Sequence, residues 1–324
     1  MHEYCSIGKQ RDHEDPRAKS FLHICQQLHD CRRPPTYIFL ENVAEFQGSE
    51  SHKRLREVLC HRGYAVREVL ASPQDMGIPN TRRRYYCLAK LASDLPAPWR
   101  YHTESHVETA TSLGWSAEPC QALGAFLDYT LKPAEIEALM LPANAVAKAG
   151  DFRFELVTAA TMCTSAFTKG YGEKGHLRGS GPVLLLDAKT KQPLAKPRPG
   201  EDVSDPPRPA KAADKPDTAS KSAKAGKPDK AEKPDKAEKP DEAKLDALDT
   251  EASGQPAAKR AFRQLRTTDL ARLLAPSEML KLHGMGDLDM SMVTIKQQRR
   301  LIGNSVSVDV IAELLKLLEI DFDQ

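Results

Sequence analysis

The sequence predicts an α/β protein with an interrupted core, and three observations support that prediction. Short β-branched and aromatic runs alternate with segments of helical apolar spacing, which is the rhythm of an α/β sheet. The chain of 324 residues is long enough for one large domain or two ordinary ones. One stretch rich in Lys, Pro, Asp and Ala cannot belong to a core, so a front and a back block of about 260 residues in total form the globular structure.

The front block begins as helix, strand and helix. Asp15 is a good cap and Pro16 a good first helical residue, so a helix begins here, and "RRPPTY" ends it because neither proline continues a helix. The run "YIFL" at 37–40 predicts a buried strand that stops at Glu41. After the polar turn "QGSES", a second amphipathic helix ends at Gly63.

Two further strand-like runs follow at 64–71 and 84–90. The 12-residue loop between them, "SPQDMGIPNTRR", is too long for a tight hairpin, and loops of this length are often functional. Residues 94–160 are less regular, although "ALGAFLDYTLKPAEIEAL" offers helical spacing. We expect a small irregular domain there.

The back block follows a low-complexity segment at 188–258. This segment contains the repeat "KPDKAEKPDKAEKPDEAK" and almost nothing apolar, so burial cannot offset its ordering entropy and we expect a disordered insertion. Beyond it, "LRTTDLARLLAPSEMLKLHGM" is predicted to be helical. The chain ends in an amphipathic helix whose apolar stripe is Val306, Val310, Leu314 and Leu317.

Bulk composition excludes some classes of protein. The net charge of +2 neither demands nor excludes a polyanionic partner. Seven cysteines without a C-x-x-C pair argue against a disulfide framework or a zinc site and indicate reduced intracellular thiols. The N-terminus is polar, and no apolar run approaches the roughly 18 residues of a membrane span. We therefore expect a soluble cytoplasmic or nuclear protein that holds no metal.

Glu41 and Asn42 follow directly on the apolar run at 37–40. The carboxyl ends of strands in a parallel α/β sheet point into the ligand crevice, which would place both residues at a site. Position alone equally allows Glu41 to cap the next turn at the surface. Both interpretations stay open on this pattern.

The loop "GIPNTRRRYY" carries the next candidates. Arg82 and Arg84 are two residues apart on an incipient strand and should point to the same side, which suits gripping a phosphate, a carboxylate or a carbonyl oxygen. Arg83 points the other way. The alternative is that these arginines belong to a solvated basic loop without a binding role.

Two stretches of the back half add candidates. "FTKGYGEKGHLRGSG" at 167–181 interleaves aromatic and basic residues with glycines, a pattern that can lay amides and cations along a phosphate chain. "LIGNSVSVDV" places Asn304 and Ser305 before the last helix, where Ser305 would ordinarily be a helix cap.

Taken in order, four pieces of the chain resemble successive motifs of the cytosine-5 methyltransferase family: "ENV", "GIPNTRRRYYCLAK", "FTKGYG" and "IKQQRRLIGNS". They are most similar to the branch that methylates a cytosine in transfer RNA despite its kinship with DNA methyltransferases. The resemblance covers nearly the whole ordered chain. It implies a Rossmann-like methyltransferase sheet, a small target-recognition domain, S-adenosylmethionine as cofactor and a nucleic acid as partner, with tRNA favoured and DNA as the alternative.

The family's chemistry implies a role for each candidate. Such enzymes add a cysteine thiolate to carbon 6 of cytosine, because carbon 5 is otherwise too weak a nucleophile to attack a methyl sulfonium. The resemblance makes Glu41 the acid that protonates N3, and Arg82 and Arg84 the groups that hold the extruded base. Asn304 and Ser305 would lie against S-adenosylmethionine. The implied substrate contacts are Asn42, Thr168, Lys169 and Tyr171.

Two motifs of the family are missing. No F-x-G-x-G-G turn for the methyl donor occurs, and aligning "IGKQRDHED" places the nucleophilic cysteine near Met1. Cys5 falls late and lacks a preceding proline, so it is not assigned that role. Ala166 stands where the branch shows a cysteine before Phe-Thr. We therefore expect the first strands of the sheet to be absent, as in an N-terminally truncated sequence of a working enzyme.

The expected organisation has four parts, with two other functions still open. The parts are the end of the catalytic domain at 1–93, the target-recognition region at 94–187, the disordered insertion at 188–258 and a helical segment that returns to the catalytic domain at 259–324. One alternative is a catalytically inactive remnant that binds RNA or a partner through the Arg82 loop and the 167–181 loop. Another is that the Lys/Pro repeat works as a charged spacer.

Overall fold

A computed structural model describes residues 18–91, 107–115, 119–147, 152–173, 181–197, 262–266 and 268–318. Within these ranges the chain forms a mixed α/β fold with two four-stranded sheets, so the predicted fold class is confirmed. The helix start at Asp15, the Cys5 region and the Lys/Pro repeat lie outside the described residues. None of the helices in these ranges has the length and apolar content that a membrane span requires.

The first sheet comes from the front of the chain. Its strands β1 (Tyr37–Val43), β2 (Tyr64–Ala71), β3 (Arg84–Leu91) and β4 (Val107–Thr109) lie in the order β1-β3-β2-β4. β3 pairs antiparallel with both β1 and β2, whereas β4 pairs parallel with β2. The expectation of a parallel sheet is therefore wrong for β1 and β3. The reason lies in the loop before β3, which contains a short 3₁₀ turn but no crossover helix, so the chain reverses direction.

Two helices cover one face of this sheet. They are α1 (Lys19–Asp30) and α2 (Glu50–His61). Ser49 Oγ accepts a hydrogen bond from His52 N and caps α2, and Gly63, with φ of 77°, follows its end as predicted. The core beneath them is made of Cys25, Val43, Phe46, Leu55, Val58, Leu59, Tyr64, Tyr85, Cys87 and Ala89.

The last helix, α7 (Val308–Lys316), covers the opposite face. Its buried Val310 and Leu314 confirm part of the predicted stripe, but Val306 precedes the helix and Leu318 is buried more deeply than Leu317. These side chains pack against Ala65, Val69, Ala71, Tyr86 and Leu88 of the sheet. Helix α7 therefore supports the first sheet.

The second sheet joins segments that are far apart in sequence. β5 (Phe154–Val157), β6 (Val183–Leu186), β7 (Phe262–Arg263) and β8 (Leu270–Leu273) lie in the order β7-β5-β6-β8. Helices α3 (Pro133–Leu139), α4 (Ala143–Ala147), α5 (Pro276–Lys281) and α6 (Ile295–Gly303) belong to the same half of the chain. Its core contains Leu123, Phe154, Phe167, Leu184, Leu186, Leu274, Met279 and Ile302.

The stretch "LRTTDLARLLAPSEMLKLHGM" is not a single helix as expected. It forms β8, and α5 begins only at Pro276. Proline disfavours helical backbone at the preceding Ala275, and antiparallel pairing with β6 buries the apolar residues of β8. Arg272, in the middle of this strand, is buried against Glu278.

Two boundaries of the expected organisation also differ. Residues 188–197 are not irregular throughout, since Asp187 N donates to Gln192 O and Leu194 N to Leu185 O, each at 2.9 Å. β4 extends the first sheet beyond residue 93. The four-part division remains a prediction.

Candidate active site

Glu41 lies inside β1 rather than beyond its end. The strand continues to Val43, and Glu41 is in register with Tyr86 of β3. The prediction that the strand stops at Glu41 is therefore wrong. Antiparallel pairing explains how the strand accepts a carboxylate, because it sets the start of β3, where Arg84 lies, beside the end of β1.

Glu41 and Arg84 form an ion pair. Arg84 Nε lies 3.2 Å from Glu41 Oε1, and the side chains of Arg84 and Glu41 are 21% and 12% exposed. Arg84 Nη1 also donates to Arg83 O at 2.8 Å, which holds the guanidinium between backbone and carboxylate. The interpretation of Glu41 as a surface cap does not fit these contacts.

Arg82 lies more deeply than Arg84 and connects distant parts of the chain. Its Nη2 donates to Ser305 O at 2.5 Å, and its backbone N donates to Ser72 Oγ at 3.0 Å. Burial, with the charge of Arg84, lowers the pKa of Arg82 to about 10, while Glu41 opposes the shift. Arg82 is thus still a cation at neutral pH and lies within electrostatic reach of both site charges.

Asn42 faces the other side of the sheet. Successive strand residues alternate between faces, so Asn42 points towards α1 and α2 while Glu41 points towards α7. Its Oδ1 accepts a hydrogen bond from Val43 N at 2.9 Å, and the side chain is buried. The structure gives Asn42 a local role and does not bring it together with Glu41.

Asn304 and Ser305 lie where α6 ends, next to Arg82. Asn304 is exposed, whereas Ser305 Oγ donates to Ile302 O at 2.7 Å. The residue that precedes α7 is Ser307, so Ser305 is not the helix cap that its position indicated. The contact between Arg82 and Ser305 links these residues to the Glu41 side of the first sheet.

The "FTKGYG" loop packs against the end of α6. A Cβ on Gly303 would lie 2.7 Å from Thr168 C and O and 2.9 Å from Lys169 N, so only glycine allows this approach. Thr168 is half-buried and Lys169 is exposed. The loop thereby lies beside Asn304.

Tyr171 of the same loop is a core residue. It is 2% exposed, donates its hydroxyl hydrogen to Pro182 O at 2.7 Å and accepts from Leu274 N at 2.8 Å. Burial raises the pKa of Tyr171 well above its ordinary value. Its hydroxyl is occupied by these two hydrogen bonds, and the expected substrate contact of Tyr171 stays a prediction.

Sequence reasoning missed His283, which follows α5. The side chain is fully buried, its Nδ1 lies 2.9 Å from Met279 O, and its ring contacts Phe167. Burial lowers the pKa of His283 to about 4, and the charges of Arg82 and Arg84 contribute. Nothing in the local pattern "KLHGM" marks this residue, because its burial results from contacts with segments that are distant in sequence.

The described cysteines whose pKa is shifted have lost acidity, not gained it. Burial raises the pKa of Cys25 to about 11, of Cys87 to about 12 and of Cys120, which also lies near Cys163, to about 11. A thiol nucleophile needs the opposite shift. None of these three is an activated thiolate in the structure.

The part of the chain that carries Glu41, Arg82 and Arg84 matches a known family. Residues 2–122 match the family model described as C-5 cytosine-specific DNA methylase. With the fold, this match defines the class of protein to which residues 2–122 are similar, the C-5 cytosine methyltransferases.

Curated relatives include enzymes named for RNA and for DNA. The human tRNA (cytosine(38)-C(5))-methyltransferase is 41% identical over 97 residues, 30% of this chain and 25% of the human protein. Its Schizosaccharomyces pombe counterpart is 29% identical over 184 residues, 56% of this chain and 52% of that protein. A Dictyostelium discoideum DNA (cytosine-5)-methyltransferase is 25% identical over 217 residues, 57% and 56% of the two chains. The chain thus spans between a quarter and about half of these relatives' lengths.

Solved structures share the fold. The Entamoeba histolytica methyltransferase EhMeth has a TM-score of 0.57 at 24% identity, covering 99% of this chain and 75% of its own. A Spodoptera frugiperda DNMT2 mutant has a TM-score of 0.59 at 23% identity, covering 98% and 76%. The expected methyltransferase fold is confirmed.

Proposed function

We propose that this chain carries the base-holding part of a cytosine-5 methyltransferase that acts on tRNA with S-adenosylmethionine as methyl donor. The observation that carries the proposal is the Glu41–Arg84 pair at 3.2 Å, with Arg82 beside it. The relatives named as tRNA methyltransferases favour RNA, and the Dictyostelium discoideum enzyme keeps DNA as the alternative substrate. The described cysteines form no disulfide, which fits a cytoplasmic or nuclear location.

Each residue of the site has one part in this proposal. Once it is separated from Arg84 and has taken up a proton from solvent, Glu41 donates that proton to N3 of the extruded cytosine, which would ease addition of a thiolate at carbon 6. Cys25, Cys87 and Cys120 are not assigned as the source of that thiolate. Arg84 donates to the carbonyl oxygen of the base, and Arg82 adds positive charge behind it. An entering base would separate the ion pair, so that Glu41 meets N3 while Arg84 meets the oxygen.

The proposed donor contacts are Asn304 and Ser305. S-adenosylmethionine would supply the methyl group as an electrophilic sulfonium. Asn304 fits because the residue is exposed and its side-chain amide makes no hydrogen bond to the described part of the chain. Ser305 lies beside it, and its hydroxyl oxygen can still accept a hydrogen bond while donating to Ile302 O.

Methyl transfer to tRNA tests the proposal directly. The purified chain is incubated with radiolabelled S-adenosylmethionine and a tRNA transcript, with a DNA duplex of the same sequence as the second substrate. We expect Glu41→Gln to reduce transfer by about 100-fold or more, since general acid catalysis contributes on that order. Glu57→Gln is the matched control, because it removes an exposed carboxylate that pairs with Arg54 on α2. A Glu41→Gln protein with wild-type activity would overturn the assignment.

A second function is that of a catalytically inactive RNA-binding member of the family. The observation that favours it is that desolvation raises the pKa of the thiols of Cys25, Cys87 and the half-buried Cys120. In that case the chain unfolds cooperatively and binds tRNA but transfers no methyl group. Transfer by the wild-type chain would dispose of this alternative.

A further inference from the structure

Arg299 of α6 is a buried cation against the "FTKGYG" loop. It is 8% exposed, and its Cζ lies 5.7 Å from the centre of the Tyr171 ring. A Cβ on Gly172 would lie 2.7 Å from Arg299 Nη1, so the guanidinium fills the space that a side chain there would need. The two hydrogen bonds of the Tyr171 hydroxyl make its ring a rigid platform for this charge.

One edge of the Arg299 guanidinium has no hydrogen-bond partner. Nε and Nη2, which point the same way and form a two-pronged donor, are both buried and unpaired within the described part of the chain. In Arg67 the same edge binds the two carboxylate oxygens of Glu108, each at 2.8 Å. The edge of Arg299 is therefore shaped for an anion with two oxygens.

Leaving this charge buried and unpaired is costly. Burial lowers the pKa of Arg299, and repulsion by Arg272 adds to the shift. The buried carboxylate of Glu278 does not compensate this charge, because it already binds Arg272 through both oxygens. Such an arrangement is stabilised when an anionic ligand arrives.

The surroundings of Arg299 indicate which anion. Lys296, one turn earlier on α6, is 78% exposed and only loosely paired with Glu173, at 3.8 Å. Lys169 is exposed on the loop that Gly303 holds against the helix. A single carboxylate would need one arginine, whereas a row of cations suits the repeating charge of a phosphate chain.

We propose that Arg299 receives a phosphate of the nucleic-acid backbone through Nε and Nη2, with Lys296 and Lys169 beside the flanking phosphates. The inference rests on the proposed nucleic-acid substrate and adds the place where its backbone is held. Phosphate contacts of this kind set the register of the substrate and carry no sequence information themselves.

Binding of a fluorescently labelled tRNA transcript to the full chain, measured by anisotropy at several salt concentrations, tests this site. We expect Arg299→Met to weaken binding by about ten-fold or more and to lower the slope of log K against log salt by about one. Arg299→Lys should restore the slope but not the affinity, because an ammonium lacks the two-pronged edge. Arg54→Met, the same change on α2 behind the first sheet, should leave both quantities unchanged.

The outcomes separate this inference from the proposed function. If the wild-type chain binds tRNA and Arg299→Met binds it with the same affinity and the same salt slope, the phosphate site is wrong and the proposed function is unaffected. Absence of tRNA binding by the wild type would overturn both. If Arg299→Met does not fold, Arg299→Lys decides the question, and wild-type affinity in that variant would reject the two-pronged contact.

Discussion

The first sheet draws its strands from residues 37–109, whereas the second joins segments between 154 and 273 that include strands on both sides of residues 198–261. In the first sheet the paired residues are at most 53 positions apart, as Tyr37 and Lys90 are, and strands β1, β2 and β3 also show in the local apolar pattern. In the second sheet, β6 pairs with β8, although more than 80 residues separate them in the sequence. The comparison shows that strands can be predicted from local sequence patterns more easily when their pairing partners are close in sequence than when they are far apart.

A buried carboxylate is associated with each sheet: Glu68 lies in the first sheet, and Glu278 of α5 binds Arg272 in the second. The two carboxylates differ in how far along the sequence their hydrogen-bond donors lie. Glu68 of β2 accepts from His52 Nε2 at 2.5 Å, from Arg56 Nη1 at 2.6 Å and from the Tyr85 hydroxyl at 2.5 Å. Glu278 accepts from Arg272 at 2.7 and 2.8 Å and from Asp128 N, 150 positions earlier, at 3.0 Å. The second carboxylate therefore holds together segments that nothing local joins.

We expect the largest effect from Glu278→Gln. Arg272 is 1% exposed and would lose its carboxylate partner, so the free energy of unfolding should fall by about 3 to 5 kcal/mol. Urea denaturation measures this. Glu137→Gln, which breaks an exposed pair with Lys191 at 3.4 Å, is the control and should change little. A loss below about 1 kcal/mol would show that the pair does not hold the second sheet together.

Glu68→Gln should lower the free energy of unfolding somewhat less, by about 3 kcal/mol at neutral pH. The loss is smaller because glutamine still accepts hydrogen bonds from Tyr85 and His52. Burial works to raise the pKa of Glu68, but bonds from His52 and Tyr85 outweigh it and place the pKa below the ordinary 4.5. The stability that the charge contributes is therefore present above that value and lost as pH falls through the folded-state pKa. Urea unfolding of both proteins at neutral and acidic pH measures this. A difference that grows in acid would contradict the assignment.

His283→Gln tests the junction between the two sheets. The folded protein keeps His283 neutral down to about pH 4, whereas the unfolded chain takes up a proton below its ordinary pKa of 6.5. Wild-type stability should therefore fall between these values by up to about 3 kcal/mol more than that of the variant. Urea unfolding across this range gives the comparison. Parallel pH profiles for the two proteins would mean that His283 is not buried as a neutral group.

Gly303→Ala should have the smallest effect, a loss of about 1 to 3 kcal/mol in the free energy of unfolding. The added Cβ would meet backbone atoms of Thr168 at 2.7 Å, which cannot move aside as a flexible side chain does. Gly286→Ala is the control, since its Cβ would meet Lys281 Cγ at an ordinary 3.4 Å. Equal melting temperatures in the two variants would show that α6 and the "FTKGYG" loop are not in tight contact.

Much of the first sheet could be predicted and much of the second could not. Apolar periodicity and the Gly63 stop locate α2, and the run before Glu41 locates β1, because these signals are local. The same reasoning made β8 a helix, since "ARLLAPSEML" has helical spacing and only pairing with β6 makes it a strand. Within the candidate site, the motif order singled out Glu41 and Arg84. No pattern marked His283, and Arg299 lies inside the "IKQQRRLIGNS" motif without having been assigned a role.

By itself, the sequence determined the α/β class, the front strands and helices, and the candidates Glu41, Arg82 and Arg84, because these depend on residues close together in the chain. Only the tertiary structure decided that Glu41 and Arg84 lie 3.2 Å apart, that Tyr171 is internal, and that Nε and Nη2 of Arg299 are buried and unpaired within the described residues. Strand direction, burial and charge pairing are set by segments far apart in sequence, and their free energies exist only once those segments have met.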